Sequence, residues 1–308
     1  AMSIALLFPG QGSQVVGMGR ELALTFPQAK QVFEEADDVL GMHLSRLAWE
    51  GPEDELVLTK NAQPALLVHS VAAHRVLSVE VDTIGFAAGH SLGEFSAHVA
   101  AGTLSFPEAL EAVRVRGELM FASGLEEPGT MAAVLGLEEE AVEDVCDKLQ
   151  AEGRICVPAN FNSTGQVVIS GTVEGVQEAM GLLKEAGAKK TVPLPVSGAF
   201  HSPLMAPAKE GLREKLEKIN FSDPEYPVVS NVTAEPVDDG SLSRELLVEQ
   251  LTSPVRWRAS IEKMVELGAE RFLELGTGKV LCGLNKRNAR GIPCSSLGTP
   301  SDFDIFLS

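Results

Sequence analysis

The chain has 308 residues, with 44% hydrophobic and 22% charged side chains, so it can build a sizeable core as one large domain or a large domain with a smaller one. Its net charge of −18 argues against broad binding to nucleic acid or to an anionic membrane, because phosphates would be repelled. No apolar run is long enough to span a bilayer, and the start AMSIALLFPGQG lacks the basic segment and long apolar core of a secretory signal. Ala1 ahead of Met2 reads as an added residue. The cysteines at 146, 156, 282 and 294 are scattered and form no CxxC pair, so a reduced, cytoplasmic protein without a structural metal is expected.

In chain order, residues 3–8 form a short apolar run ending at Pro9-Gly10, which reads as a buried strand. The glycine-rich turn GQGSQ follows. Helices are expected over 26–40 and 63–77, and an apolar strand over 83–88. Residues 92–101 read as a helix stopped by Gly102. Ser105-Phe-Pro-Glu108 has the form of a capping box and should start a helix that carries Arg114 and Arg116 and ends before Gly124. The texture then changes. Strand 131–137, helix 138–151, strands 155–159 and 166–170, a helix capped by Thr172 and closed by Gly187, and strand 190–192 follow each other. The order β-α-β-β-α-β is that of a ferredoxin-like unit, which reads as a small domain inserted in a larger α/β domain. Helices 203–219, 243–251, 258–267 and 280–288 and strands 226–232, 271–275 and 292–296 complete the pattern.

The chemistry gathers around GHSLG at 89–93. It follows an apolar strand and opens a helix, which is the context a G-x-S-x-G nucleophile turn requires. Glycines allow the sharp turn, the Ser91 hydroxyl projects, and the amide of Leu92 at the helix start can serve an oxyanion. An ordinary strand–helix turn is the plainer reading. A serine nucleophile needs a base. His43, His69 and His74 read as surface or satisfied core residues. His90 adjoins Ser91 and should point elsewhere, and His98 lies about 10 Å along the helix. His201, in SGAFHSP before a helix, is the favoured partner. Gly10-Gln11-Gly12 fails the dinucleotide fingerprint, since Val15 stands at the third glycine. That turn either lends an amide to an oxyanion hole or is a plain turn. GTGK at 276–279 is not a phosphate loop, because the first glycine is missing and Val280 replaces Ser/Thr. Arg116, on an apolar helix face near Val113 and Met120, should be buried with a partner. On its own that is most simply a structural ion pair.

FPGQGSQ, AQPALL, GHSLGEFSA, VRGELM, NFNSTGQVVISG, GAFHSPLM, QLTSPVRW and ELGTGKVLCGL occur in this order over nearly the whole chain. Together they resemble the malonyl-CoA:acyl-carrier-protein transacylases of bacterial fatty-acid synthesis. The resemblance implies an α/β-hydrolase-like large domain (1–127 and 197–308) and a ferredoxin-like small domain (128–196). It implies Ser91 as nucleophile, His201 as base, Gln11 and Leu92 as the oxyanion amides, and Arg116 as the grip on the malonyl carboxylate. Gln250 would orient the histidine through its main-chain carbonyl, so no triad acid is expected. Asn160 and Asn162 would line the cleft, and Phe200 matches the malonyl-type loop. Thr164 departs from the proline often found there, and His98 belongs to no implied role.

The implied reaction is ping-pong malonyl transfer from malonyl-CoA to the phosphopantetheine thiol of acyl carrier protein, with no cofactor or metal of its own, by a monomer. Carrier proteins are acidic and so is this chain, so docking needs a local basic patch. Lys189-Lys190 and Lys286-Arg287 with Arg290 are the candidates. The competing readings are a serine hydrolase or thioesterase acting on acyl-CoA, and a non-catalytic acyl-CoA-binding scaffold.

Overall fold

The apolar run at the start becomes the middle of a parallel sheet because it can be buried on both faces. Strand β1 (Ile4–Phe8) sends Leu6 and Phe8 into one core and Ala5 and Leu7 into another. The structure, a computed structural model, describes residues 3–81 and 83–308. The reading of Ala1 and Met2 lies outside these. After β1 come α1 (Arg20–Thr25), α2 (Pro27–Leu40), α3 (Leu44–Glu50), α4 (Glu53–Leu56), α5 (Thr59–Leu77), β2 (Phe86–Gly89), α6 (Gly93–Ala100) and α7 (Phe106–Glu126). The second sheet is built from β3 (Gly129–Leu135), α8 (Glu139–Ala151), β4 (Cys156–Ser163), β5 (Gln166–Thr172), α9 (Val173–Glu185) and β6 (Lys190–Pro193). The chain then returns with α10 (Ala206–Glu217), β7 (Val228–Val229), β8 (Pro236–Val237), α11 (Gly240–Glu249), α12 (Trp257–Glu266), β9 (Arg271–Leu275), α13 (Val280–Asn288), β10 (Cys294–Leu297) and α14 (Pro300–Leu307).

The large sheet has the order β10-β9-β1-β2-β7-β8, parallel except for β8. The small sheet, β4-β5-β3-β6, is antiparallel throughout. Its strands obey the two-residue period of a sheet with different faces. Ala132, Val134, Val167 and Ile169 pack with Val142, Leu149 and Val176 of α8 and α9. Met131, Ala133 and Val168 face the opposite way, into the cleft between the sheets.

Several expected boundaries move for identifiable reasons. Helix α5 starts a turn before residue 63 despite Pro64, whose missing N–H would strand the Lys60 carbonyl. Arg114 Nη1 donates to that carbonyl at 2.9 Å. Helix α7 runs past Gly124 because that glycine admits the Ser197 carbonyl, which a Cβ there would meet at 2.3 Å. Ser105 caps α7 by accepting from the Glu108 amide, while its hydroxyl donates to the Glu108 carboxylate. Strand β4 continues through Ser163, since Phe161 packs toward the helices while Asn160 and Asn162 face the cleft. The strand expected over 226–232 shrinks to Val228–Val229, because Ser230 and Asn231 leave the sheet to form a turn under the site. Helices α1, α3, α4 and α14 are additional. The last has a full capping box from Thr299 and Asp302, with Pro300 in its first turn.

One expectation fails outright. Cys282 of α13 and Cys294 of β10 form a disulfide with Cα atoms 5.5 Å apart, because α13 folds back along the edge strand. Cys146 and Cys156 are free and buried. The cysteine argument for a fully reduced protein therefore does not hold.

Candidate active site

The turn after β2 is built so tightly that its residue types have little freedom. A Cβ on Gly89 would lie 1.8 Å from the Gly93 carbonyl oxygen, and one on Gly93 would lie 2.2 Å from the Phe8 carbonyl oxygen. Ser91 between them has φ 52°, a left-handed conformation that costs a non-glycine residue about 1 kcal/mol or more. Hydrogen bonds hold it there. The Ser91 amide donates to Asn231 Oδ1 at 2.8 Å, and Asn231 Nδ2 donates to the Gly89 carbonyl at 2.8 Å. This is the strained strand–turn–helix geometry that exposes a hydroxyl.

Ser91 Oγ lies 2.8 Å from His201 Nε2. On the far side of the ring, His201 Nδ1 lies 2.9 Å from the main-chain carbonyl of Gln250. A carbonyl can only accept, so Nδ1 carries the proton and Nε2 presents its lone pair to the serine. Burial, reinforced by the nearby Arg116 guanidinium, pulls the His201 pKa down to about 3. The imidazole is therefore neutral at physiological pH, with its Nε2 lone pair toward the serine.

Arg116 is 1% exposed, and its described hydrogen-bond partners are all neutral oxygens. Nη1 donates to Gln63 Oε1 at 2.8 Å, and Nη2 donates to Gln250 Oε1 at 2.7 Å and to Ser91 Oγ at 3.2 Å. Its Nε is buried without an acceptor. The expected structural ion pair is thus not what Arg116 makes. It is a buried cation with spare donor capacity beside the Ser91 hydroxyl, and burial lowers its pKa to about 10, still far above neutrality.

The cleft in front has a volume of about 330 Å³. Gln11, His90, Ser91, Asn160, Asn162, Phe200 and His201 all line it. Among the described residues, the main-chain amides of Gln11 and Leu92 donate to no backbone carbonyl. The Gln11 side chain is held by Thr59 Oγ1 at 3.0 Å. His90 points away from Ser91, as expected, while its ring still lines the cleft. Its Nε2 meets Asn162 Oδ1 at 2.8 Å, bridging the two sheets. His98 stays outside the cleft and bonds Thr103 Oγ1, while His69 is a satisfied core residue between Thr277 Oγ1 and the Gly298 carbonyl. Gly276-Thr277-Gly278 thus serves packing rather than phosphate.

Sequence reasoning missed the layer beneath. Gln63, Glu94 and Asn231 hold Arg116, Gln250 and Ser91 in place. A buried Glu94 inside GHSLGEFSA was the one available signal, because a charged residue on a buried helix face needs partners.

These buried groups make stability depend on pH. Burial lowers the pKa of His69, His74, His90, His98 and His201 from 6.5, and raises those of Glu94 and Glu274 from 4.5 to about 7. The histidine contribution is present above pH 6.5 and lost as pH falls toward the folded values. The carboxylate contribution runs the other way, present below 4.5 and lost as pH rises through 7. Five histidines outweigh two carboxylates. The unfolding free energy from urea titrations at constant ionic strength is expected to fall from pH 6.5 to 4.5, by on the order of a few kcal/mol per pH unit, and the urea midpoint falls with it. A flat or rising midpoint would contradict this balance.

Comparison with known proteins places this geometry in a family. The profile described as "Acyl transferase domain" matches residues 5–292. The malonyl CoA-acyl carrier protein transacylase of Bacillus subtilis (strain 168) is 48% identical over 304 residues, covering 99% of this chain and 96% of the relative. The crystal structure of acyl-carrier-protein-S-malonyltransferase from Bartonella henselae superposes with a TM-score of 0.95 at 43% identity, covering 99% of this chain and 98% of that one. A type II PKS acyl-carrier protein in complex with its malonyl-transacylase gives a TM-score of 0.95 at 43% identity, covering 98% of each chain.

Proposed function

The chain belongs to the acyl transferase domain family, and from that premise we propose that it moves a malonyl group from malonyl-CoA to the phosphopantetheine thiol of an acyl carrier protein through an ester on Ser91. The observation that carries this reading is the Ser91 hydroxyl, held between a neutral histidine and a buried arginine whose partners are uncharged.

The chemistry follows from the atoms. As Ser91 Oγ attacks the thioester carbon, its proton passes to His201 Nε2. The Gln250 carbonyl stabilises the imidazolium through Nδ1–H, in place of a triad acid. The amides of Gln11 and Leu92 receive the oxyanion. Collapse breaks the C–S bond, and coenzyme A leaves as a thiol with the proton from His201. The carrier thiol then gives its proton to His201 and attacks the malonyl-serine ester, and as the C–O bond breaks His201 returns that proton to Ser91 Oγ. Arg116 pairs the malonyl carboxylate. An acetyl group would leave the spare donor capacity of that buried guanidinium unmet, so it is disfavoured. Asn160, Asn162 and Phe200 shape the cleft around the acyl chain and pantetheine.

A hydrolase would use the same dyad with water. The partition of preformed malonyl-enzyme between water and carrier-protein thiol separates the two. Transfer to holo-carrier protein is expected to exceed hydrolysis by at least about 100-fold. Hydrolysis at a comparable rate would overturn the transferase reading.

Lys189 and Arg287, one from each basic pair, come close together across Gly136 and Gly165. A Cβ on Gly136 would meet Lys189 Cγ, the Gly136 amide donates to the Gly165 carbonyl, and Gly165 lies against Arg287. Arg287 Nη1 also donates to the Thr164 carbonyl, so it has a structural duty, whereas Lys189 and Lys286 are the better probes. Reversing both to glutamate is expected to raise KM for carrier protein by about 10-fold or more while leaving KM for malonyl-CoA within about twofold. Unchanged carrier-protein kinetics would remove this patch from the proposal. A cytoplasmic monomer serving fatty-acid synthesis completes it. Among the described residues no helix is long and apolar enough to cross a membrane.

A further inference from the structure

Gln250 is a junction. Its main-chain carbonyl holds His201, and its side-chain Oε1 accepts from Arg116. Its Nε2 faces three acceptors: the Ser91 carbonyl at 3.0 Å, Glu94 Oε1 at 3.1 Å and Asn231 Oδ1 at 3.3 Å. A primary amide has two orientations of nearly equal shape, and only its partners decide between them. In the observed one, the donor end faces Glu94 and the acceptor end faces Arg116. The flipped one would set a carbonyl oxygen against the Glu94 carboxylate and an amino group against the guanidinium. Glu94 is 1% exposed, three residues after Ser91, and its Oε1 also accepts the Asn231 amide at 3.0 Å. Asn231 in turn holds the Ser91 amide.

We propose that Glu94 is a positioning residue that sets acyl selectivity: by accepting from Gln250 and Asn231, it fixes the Gln250 amide so that Oε1 aims the Arg116 fork at the substrate carboxylate. This rests on the reading of Arg116 as the carboxylate grip. Burial raises the Glu94 carboxyl to about 7, with the Asn231 amide, Gln250 and Arg116 opposing that rise. The carboxyl thus stays an acceptor toward both donors in either protonation state, through the oxygen that carries no proton. The hydrogen-bonded path from Glu94 to Arg116 runs through Gln250, and the two charges also attract each other through space.

The test is the ratio of kcat/KM for acyl-enzyme formation from malonyl-CoA to that from acetyl-CoA. Glu94→Met removes the acceptor at similar volume and is expected to lower the ratio at least 10-fold, mainly through the malonyl KM. Glu94→Gln keeps an acceptor oxygen and is expected to restore it to within about threefold of the wild-type value. If Glu94→Met does not fold, Glu94→Asp replaces it. That carboxylate is one methylene too short to reach Gln250, and the same fall in ratio is expected. An unchanged ratio in a folded Met or Asp variant, or equal losses with both substrates, overturns the proposal. Arg116→Ala is the control. If it leaves the ratio unchanged, the carboxylate-grip reading fails, and that failure is separate from any result at Glu94.

Discussion

Ser91→Ala is expected to lower malonyl transfer by at least about 10³-fold with the fold intact. The side chain removed is the only described hydroxyl bonded to His201 Nε2, so the base is left with nothing to deprotonate. The backbone at φ 52° is held by Asn231 rather than by the hydroxyl, so alanine can occupy it. His201→Ala should cost about as much, and the double variant little more than either single one, because the two act as a unit. Single-turnover rates with malonyl-CoA measure all three. Additive losses would contradict a shared step.

Arg116→Ala carries the second large effect, and it is a change of preference. The kcat/KM for malonyl-CoA should fall by about 10³-fold, the scale expected when a charged substrate group loses a buried partner. Acetyl-CoA should gain or stay level, because the variant removes a cation that an acetyl group leaves unpaired. The same change strands Gln63 Oε1 and Gln250 Oε1, so a modest fall in Tm should accompany it. Parallel loss on both substrates would mean that Arg116 supports the fold and not the acyl carboxylate.

How far the sequence foretold this site depends on the range of each signal. The turn at Ser91 was legible locally, because two glycines, a preceding apolar strand and a following helix all lie within a few residues. Packing gives the reason: Gly93 has the Phe8 carbonyl where a Cβ would go. The pairing of Ser91 with His201 spans 110 residues, and no local pattern encodes it. The loop-before-helix setting of SGAFHSP favoured His201 over the other histidines, and the ordered blocks of the family resemblance made the pairing specific. Arg116 was read from its apolar helix face as needing a partner. Its neutral partners, Gln63 and Gln250, come from two distant segments, which is why an ion pair was the simpler expectation. Asn231 was silent for the same reason, and Glu94 signalled only a need for partners, since their purpose exists only once α6, the turn after β7 and the turn before α12 meet.

The fold shows a similar division. Strand β9 and helix α13 were expected at their observed bounds, each being an apolar segment with clear punctuation. Strand β4 was cut short at the polar NFNS, because one of its faces serves the cleft and so lacks the apolar pattern of a strand in a core. The Cys282–Cys294 pair could not be read from spacing, as a helix and its return loop separate the two residues.

If Ser91 carries the malonyl group between donor and acceptor, intact-mass spectrometry after brief incubation with malonyl-CoA is expected to show one malonyl adduct on the unmodified protein, its absence in Ser91→Ala, and its discharge by holo-carrier protein. No adduct on the unmodified protein, or an adduct that survives in Ser91→Ala, would contradict that role.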